Sequence, residues 1–461
     1  MTTTLVLPAE IAREIDGATW QSVESAAVLL ARIAKTPDGD IRILGRALRW
    51  VRDNAYVRRE VDGLTIASEG YVSMLSEAET RGDTCIWLHT HPGEDAVPRH
   101  SPHDAIVDEE LSEAFRIRSG SDYYGALIFS PRRPKPVFTG YVQRRGEPQI
   151  PIDRLWCVGD RWHLLHSFDS GRPVLPEIFD RNVRAFGHAV QETLANLKVA
   201  IAGCGGVGSA VAEQLIRLGV RHFLLVDPDV LSASNLTRVY GSTPRQVGSP
   251  KVRVLAEHLT RIAPEVECGT ITSMVTVEST ARRLTASDVI FGCTDDNAGR
   301  LVLSRLATFF LTPVIDCGVL LSSDPSGELT GIDGRVTTLI PGHACLLCRG
   351  RIDMPRAAAE LLTPGERRRR ADEGYAPALE RTEPAVVAYT TFVAAAAVGE
   401  LLERLIGYGQ TPRPSEVILR CHDREISTNV AFPREGHYCH PSSDKLGVGV
   451  TEPFLEQIWP T

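Results

Sequence analysis

Four of the chain's 13 histidines fall between residues 89 and 103. The apolar run CIWL leads straight into His89-Thr90-His91-Pro92, and Ser101-Pro102-His103-Asp104 follows. Alternate residues of an extended segment point the same way. His89 and His91 can therefore face one metal ion, and Asp104 can add a carboxylate. Two imidazoles, one carboxylate and an open fourth position make a catalytic zinc site. A nearby Glu then serves as general base toward the attacking water. A surface loop that is merely rich in histidine is the plain alternative. The order His-x-His-Pro, then Ser-x-x-Asp, argues against it.

A second group centres on Gly203-Cys204-Gly205-Gly206-Val207-Gly208, which follows the run LKVAIA and opens a helical pattern. Glycines at 203, 205, 206 and 208 let the backbone approach a phosphate, and the helix N-terminus favours an anion there. Asp227 ends the next strand-like run, 24 residues beyond Gly203, where an acid can hold ribose hydroxyls. To this point a nicotinamide dehydrogenase and an ATP enzyme fit equally well. Asn235, Arg238 and Lys251 then cluster past the second strand. Two cations and an amide suit a triphosphate, because Arg and Lys neutralise charge moving onto pyrophosphate. Asp295, in FGCTDDNAGR at the end of a later strand, is placed to hold Mg²⁺.

The elements that must carry these groups fall into regions of different texture. Residues 1 to about 140 mix patterns: a partly helical Leu5–Ser22, then strand-like Ala26–Ala31, Thr84–Leu88 and Tyr124–Phe129. Residues 141–177 are rich in Pro, Arg and Gly and read as a connector that can add an edge strand. From about Asn196 strands alternate with helices, which implies a parallel, doubly wound sheet. Residues 178–440 are expected to form that domain, with 441–461 as a C-terminal tail.

Composition bounds the partners. Lys plus Arg is 50 against 58 Asp plus Glu, a net charge of −8, which argues against nucleic acid as the main partner. Apolar residues at 43% and charged residues at 23% exclude bulk disorder. The apolar stretch Ala385–Val398 is shorter than the roughly 18–20 residues that span a bilayer, so no membrane association is expected. The N-terminal MTTTLVLPAEIARE has no basic start and long apolar core, which leads us to expect no secretory signal. A cytoplasmic setting with reduced thiols follows as an expectation, and the ten cysteines are too sparse for a disulfide scaffold.

HTHPGEDAVPRHSPHD resembles the JAMM (JAB/MPN) metalloprotease motif, His-x-His followed by Ser-x-x-Asp. JAMM proteins cleave ubiquitin or ubiquitin-like proteins from conjugates, or process their precursors. The resemblance implies zinc on His89, His91 and Asp104, oxyanion stabilisation by Ser101, and a general-base Glu well upstream. Glu24 is the best match; Glu60, Glu69 and Glu77 lie too close to the motif. Nine residues separate His91 from Ser101, about two more than the family's usual count, which makes His100 or His103 a competing ligand.

Residues 178–440 resemble the ThiF family, the adenylating domain of ubiquitin-activating enzymes and their bacterial relatives. Asp227, Asn235, Arg238, Lys251 and Asp295 fall on that family's ATP positions. Upstream, FDRNVRAFGHAVQETLANLKV is similar to the family's entry segment, with Phe179 and Asn182 in place of the usual Tyr and Gln. There Arg181 matches the arginine that reaches into the partner subunit's site, which implies a homodimer. The implied reaction joins a protein's C-terminal carboxylate to AMP and releases pyrophosphate.

Many ThiF relatives hold a structural zinc between two CxxC motifs. Here Cys345-Leu346-Leu347-Cys348 is one. The second half reads REGHYCHPSS, with Cys439 alone. His437 or His440 can complete a Cys₃His set, which zinc accepts; a degenerate pair without metal is the alternative. Ubiquitin-activating enzymes also carry a catalytic cysteine on a loop expected between about Gly350 and Thr382, and here that loop has none. Its ERRRRADE run reads as a solvated charge run or an acidic partner's surface. Cys204, Cys293 and Cys317 read as small apolar fillers.

The expected architecture is α/β: a JAB/MPN-like mixed domain followed by a Rossmann-like, doubly wound ThiF domain. The expected function is ATP-dependent adenylation of a ubiquitin-like or sulfur-carrier protein's C-terminus, with a fused zinc-dependent isopeptidase. A conjugating enzyme or sulfur donor is the expected further partner. The rivals are sulfur-carrier activation with the first domain as a mere scaffold, and, more distantly, a NAD dehydrogenase.

Overall fold

The computed structural model describes residues 1–61, 63–93, 98–167, 176–326, 328–362, 366 and 385–459. The chain divides into two units, Met1–Pro173 with Asp444–Val450, and Val174–Ser443 with Thr451–Thr461.

The first unit is built on a sheet whose strand order is β11-β10-β1-β3-β2-β6-β7-β8-β9. The strands are β1 (Thr3–Pro8), β2 (Ala26–Lys35), β3 (Ile41–Trp50), β6 (Thr84–Thr90), β7 (Tyr123–Ser130), β8 (Val137–Arg144), β9 (Ile150–Pro151), β10 (Arg154–Val158) and β11 (His163–His166). A hairpin of β4 (Tyr56–Arg59) and β5 (Leu64–Ile66) stands apart from it. The helices are α1 (Ala9–Thr19), α2 (Glu69–Arg81) and α3 (Pro102–Ser119). Both sheet faces are covered, and β2 shows why. Its Ala27, Leu29 and Ala31 pack with Ile11 and Ile15 of α1. Its Ala26, Val28 and Leu30 pack with Leu75 of α2 and Phe115 of α3. Successive side chains of a strand point to opposite faces, so one apolar run feeds two cores.

The partly helical Leu5–Ser22 resolves into Leu5–Pro8, the end of β1, and the helix Ala9–Thr19. Two sequence expectations need correction here. The 141–177 segment is more than a connector with an edge strand. β10 pairs in parallel with β1 and buries Trp156, while β11 takes the edge. Gly146 and Gly159 sit in a turn and a bend and Pro151 ends β9, where they interrupt no ladder. The 441–461 segment is no loose tail. Arg46 Nε donates to Leu446 O at 2.9 Å, and Phe454 and Leu455 are buried in the second unit.

The second unit carries the sheet β14-β13-β12-β15-β16-β17-β18-β19. The parallel strands are β12 (Lys198–Ala202), β13 (His222–Val226), β14 (Glu267–Ile271), β15 (Val289–Gly292) and the start of β16 (Val314–Ser323). The meander β17 (Leu329–Leu339), β18 (Glu416–Arg420) and β19 (Glu425–Asn429) continues it antiparallel. The helices are α4 (Asp180–Phe186), α5 (His188–Asn196), α6 (Gly206–Leu218), α7 (Lys251–Ile262), α8 (Glu278–Leu284), α9 (Asn297–Phe309), α10 (Met354–Glu360) and α11 (Val387–Ile406). The strand order reverses between β12 and β15, and ligands of such sheets bind at the carboxyl ends of the strands there. Among the described residues no helix is long and apolar enough to cross a membrane. The ERRRRADE run, Glu366 apart, lies outside the described residues.

Candidate functional sites

His89 is on β6 and His91 just past its end. Both project on the α2–α3 side of the sheet, the side Trp87 also faces, where α3 begins. Their Nε2 atoms are 3.1 Å apart, and Asp104 Oδ1 lies 3.4 Å from His89 Nε2. Zinc bonds of about 2.0–2.2 Å to nitrogen and oxygen place tetrahedral ligand atoms about 3.3 Å apart, so three lone-pair donors converge at the spacing one ion requires. Ser101 caps α3: its Oγ accepts from Asp104 N–H at 3.1 Å, and its own N–H donates to Asp104 Oδ2 at 2.7 Å. Burial raises the Asp104 pKa, but the hydrogen bond and charge of His89 and the Ser101 bonds hold the carboxyl well below the usual range. Ser101 therefore orients a ligand, a task the motif did not reveal.

Glu24 lies two residues before the start of β2, is buried, and puts Oε1 3.8 Å from His91 Nε2. Two neighbours hold its backbone: Glu24 N–H donates to Glu60 O at 2.8 Å, and Arg59 Nε donates to Glu24 O at 2.8 Å. The competing ligands stand aside. His103 is exposed. His100 Nδ1 faces Asp108 Oδ2 at 3.5 Å, and Tyr124 and Tyr141 hydroxyls donate to that carboxylate at 2.8 and 3.0 Å.

In the second unit a cavity of about 440 Å³ opens at the switch point. Gly203 has φ +95°, and a Cβ there would stand 2.5 Å from Cys293 O. A Cβ on Gly208 would collide with Gly203 O, so Gly208 serves the strand–helix approach and does not line the cavity. Gly205 and Gly206 line it beside the N-terminus of α6. Asp227 closes the turn: Oδ2 accepts from Cys204 N–H at 2.6 Å and Oδ1 from Asp229 N–H at 2.8 Å. Its burial outweighs these bonds and the nearby Lys251 charge, and raises its pKa.

Arg238 and Lys251 line the cavity, and Lys251 Nζ rests 2.7 Å from Asp229 Oδ2. Asp295 is exposed at the rim without a hydrogen-bond or ion-pair partner among the described residues. Its neighbour Asp296 instead caps α9. One expected residue is not brought in: Asn235 lies behind the wall, accepting Ser232 N–H at 3.1 Å. Arg181, expected to reach a second copy's site, is exposed on α4 and does not line its own chain's cavity. Sequence reasoning missed Arg300, Arg356 and Thr390, which do line it. They come from α9, α10 and α11, outside any local signature. The apolar run LVLSRLATFF marks α9 as a helix but carries no sign that Arg300 lines a site.

Cys345, Cys348, His437 and Cys439 form the third cluster. His437 Nδ1 lies 3.7, 3.4 and 3.2 Å from the sulfurs of Cys345, Cys348 and Cys439, and the Cys348 and Cys439 sulfurs are 3.6 Å apart. Zinc bonds of about 2.3 Å to sulfur predict edges of about 3.6–3.8 Å, so this donor set also fits. The hydrogen bond from Cys439 brings the Cys345 thiol down to about 5. His440 is not in the set; its Nδ1 faces Ser442 Oγ at 2.7 Å. Burial pushes up the thiols of Cys85, Cys157, Cys204, Cys268 and Cys421, and the contact with Cys317 raises that of Cys293.

Against known proteins, the signature of the ThiF family matches residues 179–433. The molybdopterin-synthase adenylyltransferase of Escherichia coli is 30% identical over 172 residues, 37% of this chain and 65% of that protein. The tRNA threonylcarbamoyladenosine dehydratase 2 of Saccharomyces cerevisiae is 33% identical over 166 residues, 35% of this chain and 36% of that protein. The SAMP-activating enzyme E1 of Haloferax volcanii is 27% identical over 158 residues, 34% of this chain and 55% of that protein. The chain thus spans less than two thirds of these curated relatives.

Proposed function

This chain belongs to the ThiF family, and from that premise we propose that its second unit adenylates the C-terminal carboxylate of a ubiquitin-like or sulfur-carrier protein. The observation that carries the reading is the make-up of the cavity. Arg238, Lys251, Arg300 and Arg356 surround a glycine turn, with Asp295, unpaired among the described residues, at the rim. Several cations and one free carboxylate suit a triphosphate and its Mg²⁺; a dinucleotide has less need of them. Adenylyltransferases and activating enzymes among the relatives support the same chemistry. The net charge of −8 weighs against a tRNA substrate such as the dehydratase relative's name describes.

A carboxylate oxygen of the carrier protein attacks the α-phosphorus of ATP. The bond from that phosphorus to the α–β bridging oxygen breaks, and pyrophosphate leaves with the electron pair. Backbone N–H groups at the start of α6 approach the phosphates, and Lys251 and Arg238 stabilise charge moving onto the leaving group. Asp227 keeps the turn closed and faces the nucleoside end. Asp295 would hold Mg²⁺. Arg181 would act in the cavity of a second copy.

The first unit supports a fused peptidase acting on the same class of C-terminus. His89, His91 and Asp104 would hold zinc, which when bound supplies Lewis acidity and acidifies water. Glu24 takes the proton from the attacking water and returns it to the leaving amine. Cys345, Cys348, Cys439 and His437 would hold a second, structural zinc. The loop between about Gly350 and Thr382, where an activating enzyme's catalytic cysteine is expected, has no cysteine, which favours transfer of the acyl group to an external thiol, sulfide or amine.

The test is zinc per chain together with carrier-dependent ATP–pyrophosphate exchange. The expected result is about two zinc ions, one for each donor set, with His89→Ala and Cys345→Ser each losing one. Exchange should persist in His89→Ala and fail in Lys251→Ala. NADH binding without ATP binding would overturn the adenylation reading. A single zinc, lost only in Cys345→Ser, would reduce the first unit to a scaffold.

A further inference from the structure

A second cavity of about 410 Å³ adjoins the nucleotide cavity, and the two share Arg300, Gly318 and Val319. Its floor is a sheet face. Gly318 pairs with Arg335 and Arg335 with Ile418; Leu320 pairs with Asp333 and Asp333 with Arg420. These two rows stand on the face opposite Gly334, whose position points at Val393 of α11. The cavity is thus lined by Arg300, Arg335, Arg351 and Arg420 against Asp333 as the one acidic lining residue.

The counter-charges lie beneath this surface. Asp316 and Glu416 side chains are fully buried, and each is already engaged. Arg335 Nη2 donates to Asp316 Oδ2 at 2.8 Å, and Arg351 grips Glu416 through Nε and Nη2 at 3.1 and 2.9 Å. A guanidinium has five N–H donors, so these bonds leave most of them unused. Among the described residues Arg300 Nε and Arg335 Nε are buried without a hydrogen bond, at ion-pair distance from Asp316 Oδ1 (3.4 Å) and Glu416 Oε1 (4.0 Å), while Arg420 Nη1 donates to Glu425 Oε1 at 3.0 Å and Ser427 Oγ at 3.2 Å and keeps its other N–H groups for a ligand. Arg335 Nη2 and Arg300 Nη2 lie 3.5 and 3.7 Å from where a Cβ on Gly318 would stand. The missing side chain leaves a slot between two guanidinium groups at the passage into the nucleotide cavity.

We propose that this arginine-lined cavity receives the segment just before the substrate's C-terminal carboxylate, and that it selects a tail bearing acidic side chains. The proposal rests on the adenylation reading, which requires that carboxylate in the adjoining cavity. Leu320 and Ile418 supply the apolar contacts an extended peptide needs, and planar guanidinium groups match carboxylates in a forked geometry.

Short fluorescein-labelled peptides with a free C-terminal glycine, carrying Glu, Gln or Lys at upstream positions, test it by anisotropy. ATP binding is measured in parallel on the full chain. The Glu peptide should bind about tenfold tighter than the Lys peptide, as charged hydrogen bonds imply, and salt should erode the difference. Arg420→Glu, on the outer strand, should reverse the preference without altering ATP binding, and Arg335→Gln should weaken it. Equal binding of the Glu and Lys peptides, or no peptide binding, overturns the proposal while leaving adenylation standing if ATP still binds. Loss of ATP binding in the wild type overturns the adenylation reading instead. Inorganic pyrophosphate bound in an Arg420-dependent manner, with no discrimination between peptides, would mark a product-anion site and also overturn the proposal.

Discussion

Ser101 and Asp104 hold each other through a reciprocal pair of hydrogen bonds, with Ser101 N–H on Asp104 Oδ2 at 2.7 Å and Asp104 N–H on Ser101 Oγ at 3.1 Å. This leaves Asp104 Oδ1 facing His89. Ser101→Ala removes the side-chain half of the pair. It should cost about 1 kcal/mol of stability as a lost helix cap. Zinc affinity of the first site should fall about 10–100-fold as its ligand loses orientation. Ser101→Thr should restore both, read out by chelator competition and urea unfolding.

Among the described residues Glu24 is a carboxylate within reach of the site that neither caps a helix nor belongs to the ligand set. Glu24→Gln keeps size and burial but removes the base. Zinc content should stay at the wild-type level while cleavage of a C-terminally extended carrier falls about 10²–10⁴-fold, the usual worth of a positioned base. Unchanged cleavage would show that Glu24 is only a packing residue.

The nucleotide turn offers a contrast between two glycines. Gly203 sits at φ +95° against Cys293 O, whereas nothing lies within 4 Å of a Cβ on Gly205. Gly203→Ala should lower stability by about 1 kcal/mol or more and abolish ATP binding. Gly205→Ala should fold normally, and any weakening of ATP binding there would report the methyl group meeting the phosphates. Calorimetric titration with ATP, beside thermal melts, separates the two effects.

How much of this was legible in the sequence depended on how local each signal is. His89 and His91 were readable because two-residue alternation on a strand is geometry the sequence itself carries. Lys251–Ile262 was readable as a helix because its apolar residues recur at helical spacing. β14, in ECGTI, was passed over because an exposed edge strand has no apolar alternation to show. Arg300 and Arg356 were invisible for another reason: only the packing of α9 and α10 beside the glycine turn brings them together. The 141–177 segment misled because its prolines and glycines, true signs of turns, hid the short buried strand RLWCV between them.

His163 carries a pH prediction free of both metal clusters. Burial first, then the charges of Lys135 and Arg161, lower its pKa from 6.5 to about 4. The folded state therefore holds the neutral ring, while the unfolded chain binds a proton below about 6.5. The stability this group permits is fully present above that pH and declines as pH falls toward 4. His163→Gln cannot charge, so the gap in urea midpoint between variant and wild type should move in the variant's favour from pH 7 to pH 5. A constant gap would mean that His163 titrates alike in both states.

The fourth ligand of the thiolate cluster decides between two readings of one short segment, His437-Tyr438-Cys439-His440. Only His437 points Nδ1 into the triangle of sulfurs, and His440 turns to Ser442 Oγ. The short His-x-Cys spacing works because Tyr438 is carried to the outside of the turn, where its ring meets Phe309 at 6.2 Å and Arg305 at 5.8 Å. His437→Ala should therefore lose the structural zinc and lower the melting temperature, because metal binding energy is folding energy in such a site. His437→Cys should recover the ion, since zinc accepts Cys₄ as readily as Cys₃His. His440→Ala should leave both zinc content and melting temperature unchanged. If instead His440→Ala loses the ion and His437→Ala keeps it, the segment is turned over relative to this arrangement, and Tyr438 must leave its place beside Phe309.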